Sequence, residues 1–541
     1  VPYQIPGGSE RDEYPLTDRT GTRTLTVCAS GCDFTSIQAA IDAACPGDTI
    51  EVRSGTYNEN VVVNKTLTLR GLAIGGVTPV VDAGGSGSAI TITADGCSIE
   101  GFVARNSGGS WPCAGILATS SGNAISENTA TNNWDGISLD NSSGNTISGN
   151  SLSGNTASGV YLRYSCNNTI QDNTATGNGD NGICLWPFSD ENIIRGNTAN
   201  GNKIGIILDT SSDNTLSGNT VTGNTDYGIV LISSSGNTIS GNIADHNTGD
   251  GFYISSSNNN TISGNTATGN LGYGIHLDSS SGNTLSDNTA NDNDHSGIYL
   301  EPSSNNNTIS GNTANDNAGG GIYLFQSGDN TIEGNSANDN DHSGILLFDS
   351  GDNTISDNTA SSNGWDGINV QDSFNNMIFG NTANDNAGGG IYLFQSGGNT
   401  ISGNTANDNA GDGIRLEPSS DNNLVSGNTA NDNSQEGIYF IQSDGNTISG
   451  NTVTGNSLNG ISLDNSSGDT ISGNILKNNA ASGIYLQNSN NNTLLENSAS
   501  SNDYGIAFRY SSDNTISDNT VTANDYHGIY IDQTSNNVFT N

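Results

Sequence analysis

From about residue 115 to the C-terminus, apolar and polar residues follow a pattern that repeats with a nearly constant spacing. Once in each repeat an apolar residue, most often isoleucine, follows a glycine, and successive copies of this anchor residue lie 21 to 24 residues apart, mostly 23. The nineteen anchors are Ile116, Ile137, Val160, Ile183, Ile206, Ile229, Phe252, Ile275, Ile298, Ile322, Ile345, Ile368, Ile391, Ile414, Ile438, Ile461, Ile484, Ile506 and Ile529. A fixed period of this size predicts a solenoid in which each repeat forms one coil.

Each repeat contains three short runs that favour β-strands, namely Gly-Ile-x-Leu, Asn-Thr-Ile and Asn-Thr-Ala. None of the runs is long enough for a helix, and Gly, Asn and Ser separate them. Three strands per coil of about 23 residues predict an all-β fold, a single-stranded parallel β-helix whose strands pair with their counterparts one coil away. We expect right-handed coiling, as in other parallel crossover connections.

Asparagine recurs at fixed places between these runs. One column begins at Asn128 and ends at Asn519, a second includes Asn214 and Asn330, and a third includes Asn317. A side-chain amide both donates and accepts hydrogen bonds, so stacked asparagines are expected to bond along each column and to satisfy backbone groups at the corners. A disordered polar tract would not keep Ile and Leu in register through nineteen repeats, so the pattern favours an ordered β-helix.

The N-terminal part of the chain departs from the repeat and predicts a cap. Residues 1–24 contain several prolines and glycines and are expected to form an extended arm, whereas residues 25–114 predict a cap with irregular first coils. Within the cap, residues 35–44 (TSIQAAIDAA) predict a short amphipathic helix with its two isoleucines on one face. A solenoid needs such a cap because its first coil would otherwise expose core residues and a strand edge. Residues 115–541 are then the regular β-helix of about nineteen coils.

Two stretches carry a resemblance to known families. Residues 36–71 read SIQAAIDAACPGDTIEVRSGTYNENVVVNKTLTLRG and resemble the opening of pectate-lyase-like right-handed β-helix proteins. The later coils, in which NTISGNTANDN precedes GIYL, are similar to the NosD-type, carbohydrate-binding and sugar-hydrolase repeats common in archaeal surface proteins. The resemblance covers nearly the whole chain and implies the fold. It implies no single activity, because this fold carries lyases, hydrolases, epimerases, adhesins and structural proteins.

The strongly negative net charge of the chain makes some classes of binding partner unfavourable. With 13 Lys plus Arg against 55 Asp plus Glu, the formal net charge is −42, which argues against binding to nucleic acid. No apolar run approaches transmembrane length, so membrane insertion is not expected. Because the chain begins at Val1 rather than Met, we expect a secretory signal to have been removed and the protein to lie at the cell surface. Seven sequons are compatible with glycosylation there, at Asn64, Asn141, Asn167, Asn259, Asn306, Asn465 and Asn491.

The seven cysteines lie in the first third of the chain, at Cys28, Cys32, Cys45, Cys97, Cys113, Cys166 and Cys184. In an exported protein the default expectation is disulfides, and the first three cysteines surround the predicted helix, so at least one bridge is expected there. The other pairings stay open. An odd number leaves one thiol free or in an intermolecular bond. Cys184 is the candidate, because it follows the anchor Ile183 and should point outward from its strand.

The residues that follow the anchor alternate between the core and the outside of the coil. Over about six coils the outward positions are apolar and predict an interaction surface made of Tyr323, Phe325, Leu346, Phe348, Tyr392, Phe394, Tyr439 and Ile441. A patch of that size is unusual on a monomer. Three interpretations stay open: contact with another protein, aromatic stacking that only stabilises the sheet, and stacking on sugar rings.

One corner of the coil is acidic. The column consists of Asp292, Asp316, Asp339, Asp385, Asp408 and Asp432. Carboxylates in neighbouring coils would lie about 5 Å apart, which is unfavourable unless salt screens them or cations bind between them. Calcium is the expected ion, since it prefers carboxylate oxygens, and no other cofactor is predicted. The alternative is a solvated acidic edge.

No set of residues predicts a catalytic site. A pectate-type lyase needs a basic residue beside carboxylate-bound calcium, but Arg415 and the other arginines are scattered. The pairs Asp294–His295 and Asp341–His342 resemble epimerase motifs, yet they lie two coils apart and the repeat itself generates them. An enzyme is expected to break the repeat with long loops that form a cleft, and only residues 100–115 depart enough from the pattern.

These observations together predict a secreted structural β-helix of a cell envelope, in a surface layer, sheath or extracellular filament. We expect self-assembly, because no cap follows the last coil, where Tyr530 and Phe539 would leave apolar surface and strand edges uncovered. Cell-wall polysaccharide is a further expected partner. The alternative function is a carbohydrate-active enzyme (lyase, hydrolase or epimerase) or a polysaccharide-binding module.

Overall fold

The short runs of the repeat coincide with the strands of the structure. The computed structural model describes residues 21–540, which form a nearly all-β parallel solenoid of about 22 turns, with roughly 23 residues per turn and one short helix. The chain divides into two compact units, the first ending at Gly179 and the second beginning at Asp180. Most of the predicted extended arm lies outside the described residues, and the first strand begins at Thr24.

The first unit contains strands of three parallel sheets, one for each type of run. Its strands of the first sheet are Val61–Val63, Ile90–Ile92, Ala114–Ala118, Asp135–Asp140 and Val160–Arg163. Those of the second sheet are Thr24–Val27, Thr49–Arg53, Thr68–Leu72, Ser98–Glu100, Ala124–Ser126, Thr146–Ser148 and Thr169–Gln171. Those of the third are Thr56–Tyr57, Val80–Asp82, Val103–Arg105, Thr129–Thr131, Ser151–Ser153 and Thr174–Thr176.

The second unit repeats this arrangement with more uniform coils. Its strands of the first sheet are Asn181–Leu185, Ile204–Asp209, Ile229–Ile232, Phe252–Ser255, Ile275–Asp278, Ile298–Leu300, Ile322–Phe325, Ile345–Phe348, Ile368–Gln371, Ile391–Phe394, Ile414–Leu416, Ile438–Ile441, Ile461–Asp464, Ser482–Gln487, Tyr504–Arg509 and His527–Asp532. Those of the second sheet are Ile193–Arg195, Thr215–Ser217, Thr238–Ser240, Thr261–Ser263, Thr284–Ser286, Thr308–Ser310, Thr331–Glu333, Thr354–Ser356, Met377–Phe379, Thr400–Ser402, Leu424–Ser426, Thr447–Ser449, Thr470–Ser472, Thr493–Leu495, Thr515–Ser517 and Val538–Thr540. Those of the third are Thr452–Thr454, Ile475–Lys477, Ser498–Ser500 and Thr520–Thr522. Between residues 198 and 452 the third run forms single β-bridges instead of strands.

The hydrophobic core is a stack of the predicted anchors. Strands pair in register, so that Ile322 lies beside Ile345 and Leu324 beside Leu347. Eighteen of the nineteen anchors are fully buried, and the remaining one, Ile529, is exposed in the last strand of the first sheet. Side chains on either side of each anchor point away from the core, which leaves one continuous outward face in each unit.

The predicted asparagine ladders are confirmed, and Asn312 shows their chemistry. Its Nδ2 donates to Asn335 Oδ1 in the next coil and to the Leu285 carbonyl, both at 3.0 Å. Its Oδ1 accepts from the backbone N–H of Asn288 at 2.9 Å. Only 1% of Asn312 is exposed, so each of these bonds satisfies a polar group that water does not reach. The ladders therefore hold the corners of the coils.

The predicted helix is confirmed as α1, Ile37–Ala43, and its position beside the first strands fits the predicted cap. Ser36 is the N-cap, and the Glu59 carboxylate accepts bonds of 2.9–3.0 Å from the Ser36 hydroxyl and the next two backbone N–H groups. The Lys65 ammonium donates to three carbonyls at the other end, at 2.8–3.0 Å. Both helix ends are thus satisfied by side chains of the first coils. Within residues 21–540 no helix is long and apolar enough to cross a membrane.

The cysteines near the cap include one bridge. A disulfide joins Cys28 to Cys32, whose Cα atoms are 5.5 Å apart. Cys45 is exposed and outside this bridge, although it also lies beside α1. Cys184, the predicted candidate for a free or intermolecular thiol, is buried, with 4% of its surface exposed.

Candidate functional site

The outward face of the first sheet in the second unit carries a stack of aromatic rings. Tyr253, His276, Tyr299 and Tyr323 occupy the same position in four successive coils, with neighbouring ring centroids 5.0–5.1 Å apart. Rings at this spacing shield one another, so these side chains are half-buried or buried although they point outward. Contacts between the rings of successive coils therefore hold the side chains of this face in place.

Two identical stretches, residues 311–328 and 380–397, interrupt this face three coils apart. Each contains Ala-Gly-Gly-Gly before its anchor, where neighbouring coils have larger side chains such as His295 and Trp365. A Cβ atom at Gly319 would lie 2.7 Å from the Ser296 backbone nitrogen, so a side chain does not fit there. The glycines leave two open pockets on a face that has no inserted loop.

The first pocket, here called the aromatic pocket, has a volume of about 270 Å³. Tyr323 lines it, together with Tyr273 and His295 from earlier coils and His342 and Trp365 from later ones. The His342 and Trp365 ring centroids are 4.8 Å apart, and 54% of the indole residue is exposed. An exposed indole beside a concave space is suited to stacking against a flat apolar surface of a ligand.

The second pocket, here called the acidic pocket, has a volume of about 310 Å³ and opens at Gly388 and Gly389. It is lined by Asp366, Asp412, Arg415, Glu417 and Tyr392, among others. The Arg415 guanidinium contacts Asp412 Oδ2 at 3.3 Å and Glu417 Oε1 at 2.6 Å. The Tyr392 hydroxyl donates to Glu417 Oε2 at 2.7 Å. Carboxylates outnumber cations here by three to one.

Burial shifts three groups in and beside the acidic pocket, Asp366, Glu436 and Tyr392, towards their protonated forms. Asp366 accepts from the Gly389 N–H and the Asn369 amide, both at 2.7 Å, yet burial raises the pKa of its carboxyl. Burial, and then the Asp412 charge, raise the pKa of Glu436 to about 7. Burial also raises the pKa of Tyr392, which Glu417 raises further. Shifted groups of this kind gather at functional sites.

One member of the aromatic stack, His276, is a buried histidine. His276 Nδ1 lies 2.9 Å from Asp250 Oδ2, and its Nε2, which has no hydrogen-bond partner within residues 21–540, lies 3.7 Å from Glu301 Oε1. Tyr273, a residue of the aromatic pocket, packs on the same imidazole with centroids 4.9 Å apart. His276 therefore supports one wall of the aromatic pocket through its contact with Tyr273.

The predicted interaction residues lie on this same face, but they are half-buried rather than fully exposed. Tyr323, Leu346 and Tyr392 contribute to the two pockets, and the Phe325 and Phe348 rings contact each other at 5.7 Å. Phe394, Tyr439 and Ile441 continue the face. The two predicted residues of the last coil, Tyr530 and Phe539, are 40% and 43% exposed.

The predicted metal residues form the expected exposed column, with Ser362 in place of one aspartate. Each aspartate of the column adopts a left-handed backbone conformation, with φ of 54–58°. Burial, and then the charges of Asp292 and Asp339, raise the pKa of Asp316. Across residues 21–540 no group of three or more His, Cys, Asp or Glu is placed to hold a metal ion, so binding between two carboxylates stays a prediction.

All seven predicted glycosylation asparagines are exposed, at Asn64, Asn141, Asn167, Asn259, Asn306, Asn465 and Asn491. Their positions differ from those of the ladder asparagines, which are buried. A glycosyltransferase could therefore reach the sequons without opening a ladder.

Sequence reasoning missed the column two residues before the anchor. This column supplies Tyr273, Asp366, Asp412 and Glu436, and it lies beside the predicted interaction surface. We expected any cleft near residues 100–115, whereas both pockets lie in coils without insertions. The detectable signal is the Ala-Gly-Gly-Gly sequence, because its glycines replace side chains that other coils carry there, such as His295, His342 and Trp365. The histidines of the two Asp-His pairs, assigned to the repeat, both line the aromatic pocket.

Comparison with known proteins gives two matching families. The model described as "Right handed beta helix region" matches residues 189–337, 260–398 and 327–469. The model described as "Periplasmic copper-binding protein (NosD)" matches residues 58–243 and 419–541. No curated protein sequence matches the chain.

Solved structures with a similar fold include the following three. The Dettilon tailspike protein gp208 has a TM-score of 0.39 and 15% identity, over 59% of this chain and 61% of that one. The periplasmic alginate epimerase AlgG has a TM-score of 0.30 and 15% identity, over 62% of this chain and 76% of that one. XylC in complex with xylose has a TM-score of 0.38 and 11% identity, over 48% of this chain and 76% of that one. Scores this low transfer no activity, and the chain spans less than two thirds of the tailspike protein.

Proposed function

Because this chain belongs to the right-handed β-helix proteins, with repeats of the NosD type, we propose that it binds an extended carbohydrate chain along the two pockets. The observation that carries the proposal is the position of Trp365, whose indole is exposed at the aromatic pocket while the next residue, Asp366, lines the acidic pocket. The pockets are therefore adjacent and open on the same face. We call them together the binding groove.

Each pocket supplies one of the two interactions that sugars need. The apolar face of a sugar ring stacks on aromatic side chains such as Trp365, and its hydroxyl groups donate to carboxylates such as Asp366 and Glu417. The two glycine sequences are three coils apart, or about 14 Å at the usual strand spacing. A ligand that fills both pockets must be elongated, which suits an oligosaccharide better than a single sugar.

The test is the affinity of the purified chain for a panel of soluble polysaccharides, measured by affinity electrophoresis and calorimetry. Trp365→Ala should weaken binding of any retained polysaccharide about tenfold, as expected for the loss of one aromatic stack. Phe374→Ala is the matched control, because Phe374 is 51% exposed and does not line the aromatic pocket. Equal affinities of wild type and Trp365→Ala for every polysaccharide would refute the proposal.

A second proposal is that the chain is an exported structural protein of a cell envelope that self-associates. It is supported by the exposed apolar residues Met377 and Leu424 on the second sheet, by the exposed Phe374 in the turn before Met377, and by the exposure of all seven sequons. A NosD-type family described as periplasmic also fits export. Sedimentation of wild type should show association that Phe374→Lys abolishes and Trp365→Ala leaves intact. A monomer at all accessible concentrations would refute it.

A further inference from the structure

The charges of the acidic pocket restrict the class of carbohydrate, provided that the binding groove takes carbohydrate as proposed above. Its one guanidinium, that of Arg415, is held by Asp412 and Glu417 at 3.3 and 2.6 Å. The positive charge of Arg415 is therefore already paired with two carboxylates, and it is not available to bind an anionic ligand. A uronic acid would meet net negative charge in this pocket, on a chain whose net charge is −42.

Asp366 is different from its two neighbours. It forms no salt bridge with any residue between 21 and 540, and its hydrogen-bond partners are the neutral Gly389 N–H and the Asn369 amide. The Arg415 charge lowers the pKa of Asp366, but burial outweighs this effect and the guanidinium itself is paired with Asp412 and Glu417. A carboxylate that is largely removed from water and lacks a counter-ion is unfavourable unless a cation reaches it. Asp366 lines an open pocket, so a ligand can supply that cation. The adjacent Trp365 indole provides a surface for the ring that carries it.

We infer that the binding groove recognises a polysaccharide with primary ammonium groups, an unacetylated amino-sugar chain, whose ring stacks on Trp365 and whose ammonium group pairs with Asp366. The aromatic pocket holds one part of this chain and the acidic pocket the next. The ammonium group donates to the Asp366 carboxylate without displacing its bonds to Gly389 and Asn369, since each carboxylate oxygen has more than one acceptor site. Acetylation removes the charge, and with it this contact.

The experiment compares binding of glucosamine oligomers and N-acetylglucosamine oligomers of equal length by calorimetry, at a pH that keeps the free amines protonated. The glucosamine oligomer should bind at least about tenfold more tightly, the value of one charge-assisted contact, and added salt should reduce the difference. Asp366→Asn should abolish the preference, because it should weaken binding of the glucosamine oligomer about tenfold more than binding of the acetylated oligomer. Gln371→Glu, which adds a carboxylate at the edge of the aromatic pocket, should increase the preference.

The control for overall charge is Asp408→Asn, which removes an equal charge from the exposed acidic column. A preference that survives in Asp366→Asn and decreases equally in both variants would reflect overall charge and would overturn the inference. Equal binding of the two oligomers, with a loss in Trp365→Ala, would also overturn it while leaving the proposed function standing. If neither oligomer nor any other polysaccharide binds, the proposed function fails and the inference fails with it.

Discussion

One ladder contains an acid where the other coils have an amide. Asp469 replaces asparagine between Asn446 and Asn492, and its Oδ1 accepts from the Asn446 N–H at 2.7 Å. At the matching position Asn492 Nδ2 donates to the Ser466 carbonyl, whereas Asp469 Oδ2 has no hydrogen-bond partner within residues 21–540. Only 1% of Asp469 is exposed. The side chain can act as a donor there only when it is protonated.

The effect of Asp469 on the free energy of unfolding follows from the pKa of its carboxyl. Burial raises the pKa of Asp469 from 3.8 to about 7, and the charges of Asp444 and Asp421 contribute to the rise. Below about pH 4 the carboxyl is protonated in both the folded and the unfolded chain, so its ionisation does not lower the free energy of unfolding. Between about pH 4 and 7 the unfolded chain ionises and the folded one does not, so stability falls. Above about pH 7 the loss is complete, on the order of 4 kcal/mol.

The variant Asp469→Asn restores the amide of the ladder, so it should not lose stability as the pH rises. Relative to wild type, the free energy of local opening around residues 446–497 should be larger by about 4 kcal/mol at about pH 8, and this gain should disappear at about pH 4. Amide hydrogen exchange detected by mass spectrometry measures it peptide by peptide, since a solenoid opens locally. Asp408→Asn, an exposed position, is the matched control and should show no such change with pH.

The reasoning would be refuted by a gain in Asp469→Asn that is the same at both pH values, because the effect would then come from packing and not from ionisation. It would also be refuted by an equal pH dependence in Asp408→Asn, which would point to the net charge of the chain.

Two further predictions concern the ladders and the acidic column. Asn312→Leu removes the bonds to Leu285 and Asn335 and leaves buried backbone groups unsatisfied, so it should cost about 3 kcal/mol, measurable as faster hydrogen exchange in the adjoining coils; unchanged exchange would contradict the role of the ladder. If calcium binds between carboxylates of the column from Asp292 to Asp432, EDTA at low ionic strength should lower the melting temperature and calcium should restore it, whereas an unmoved melting curve would indicate a solvated edge.

The repeating features of the fold were predictable from the sequence, and the site was not. Nineteen anchors define the coil, because all but the last are buried in the core, and the ladder asparagines are recognisable because each has a counterpart one period away. The site depends on deviations from the repeat instead. Asp366 and Gly389 become neighbours across coils, and whether a carboxyl there is exposed or covered depends on which side chains lie above and below it. A single coil does not contain that information.

The two identical stretches, residues 311–328 and 380–397, have a consequence for how such a chain can evolve. Neighbouring coils pair through the same backbone pattern, so copying a whole number of coils within the gene adds length and preserves the pairing of the strands. A copied segment that contains Ala-Gly-Gly-Gly brings another pocket with it, already aligned with the first. The capacity for ligand can thus increase by duplication alone, and later substitutions such as Asp366 and Arg415 can give each copy its own preference. Relatives of different length should then differ in the number of pockets by whole units.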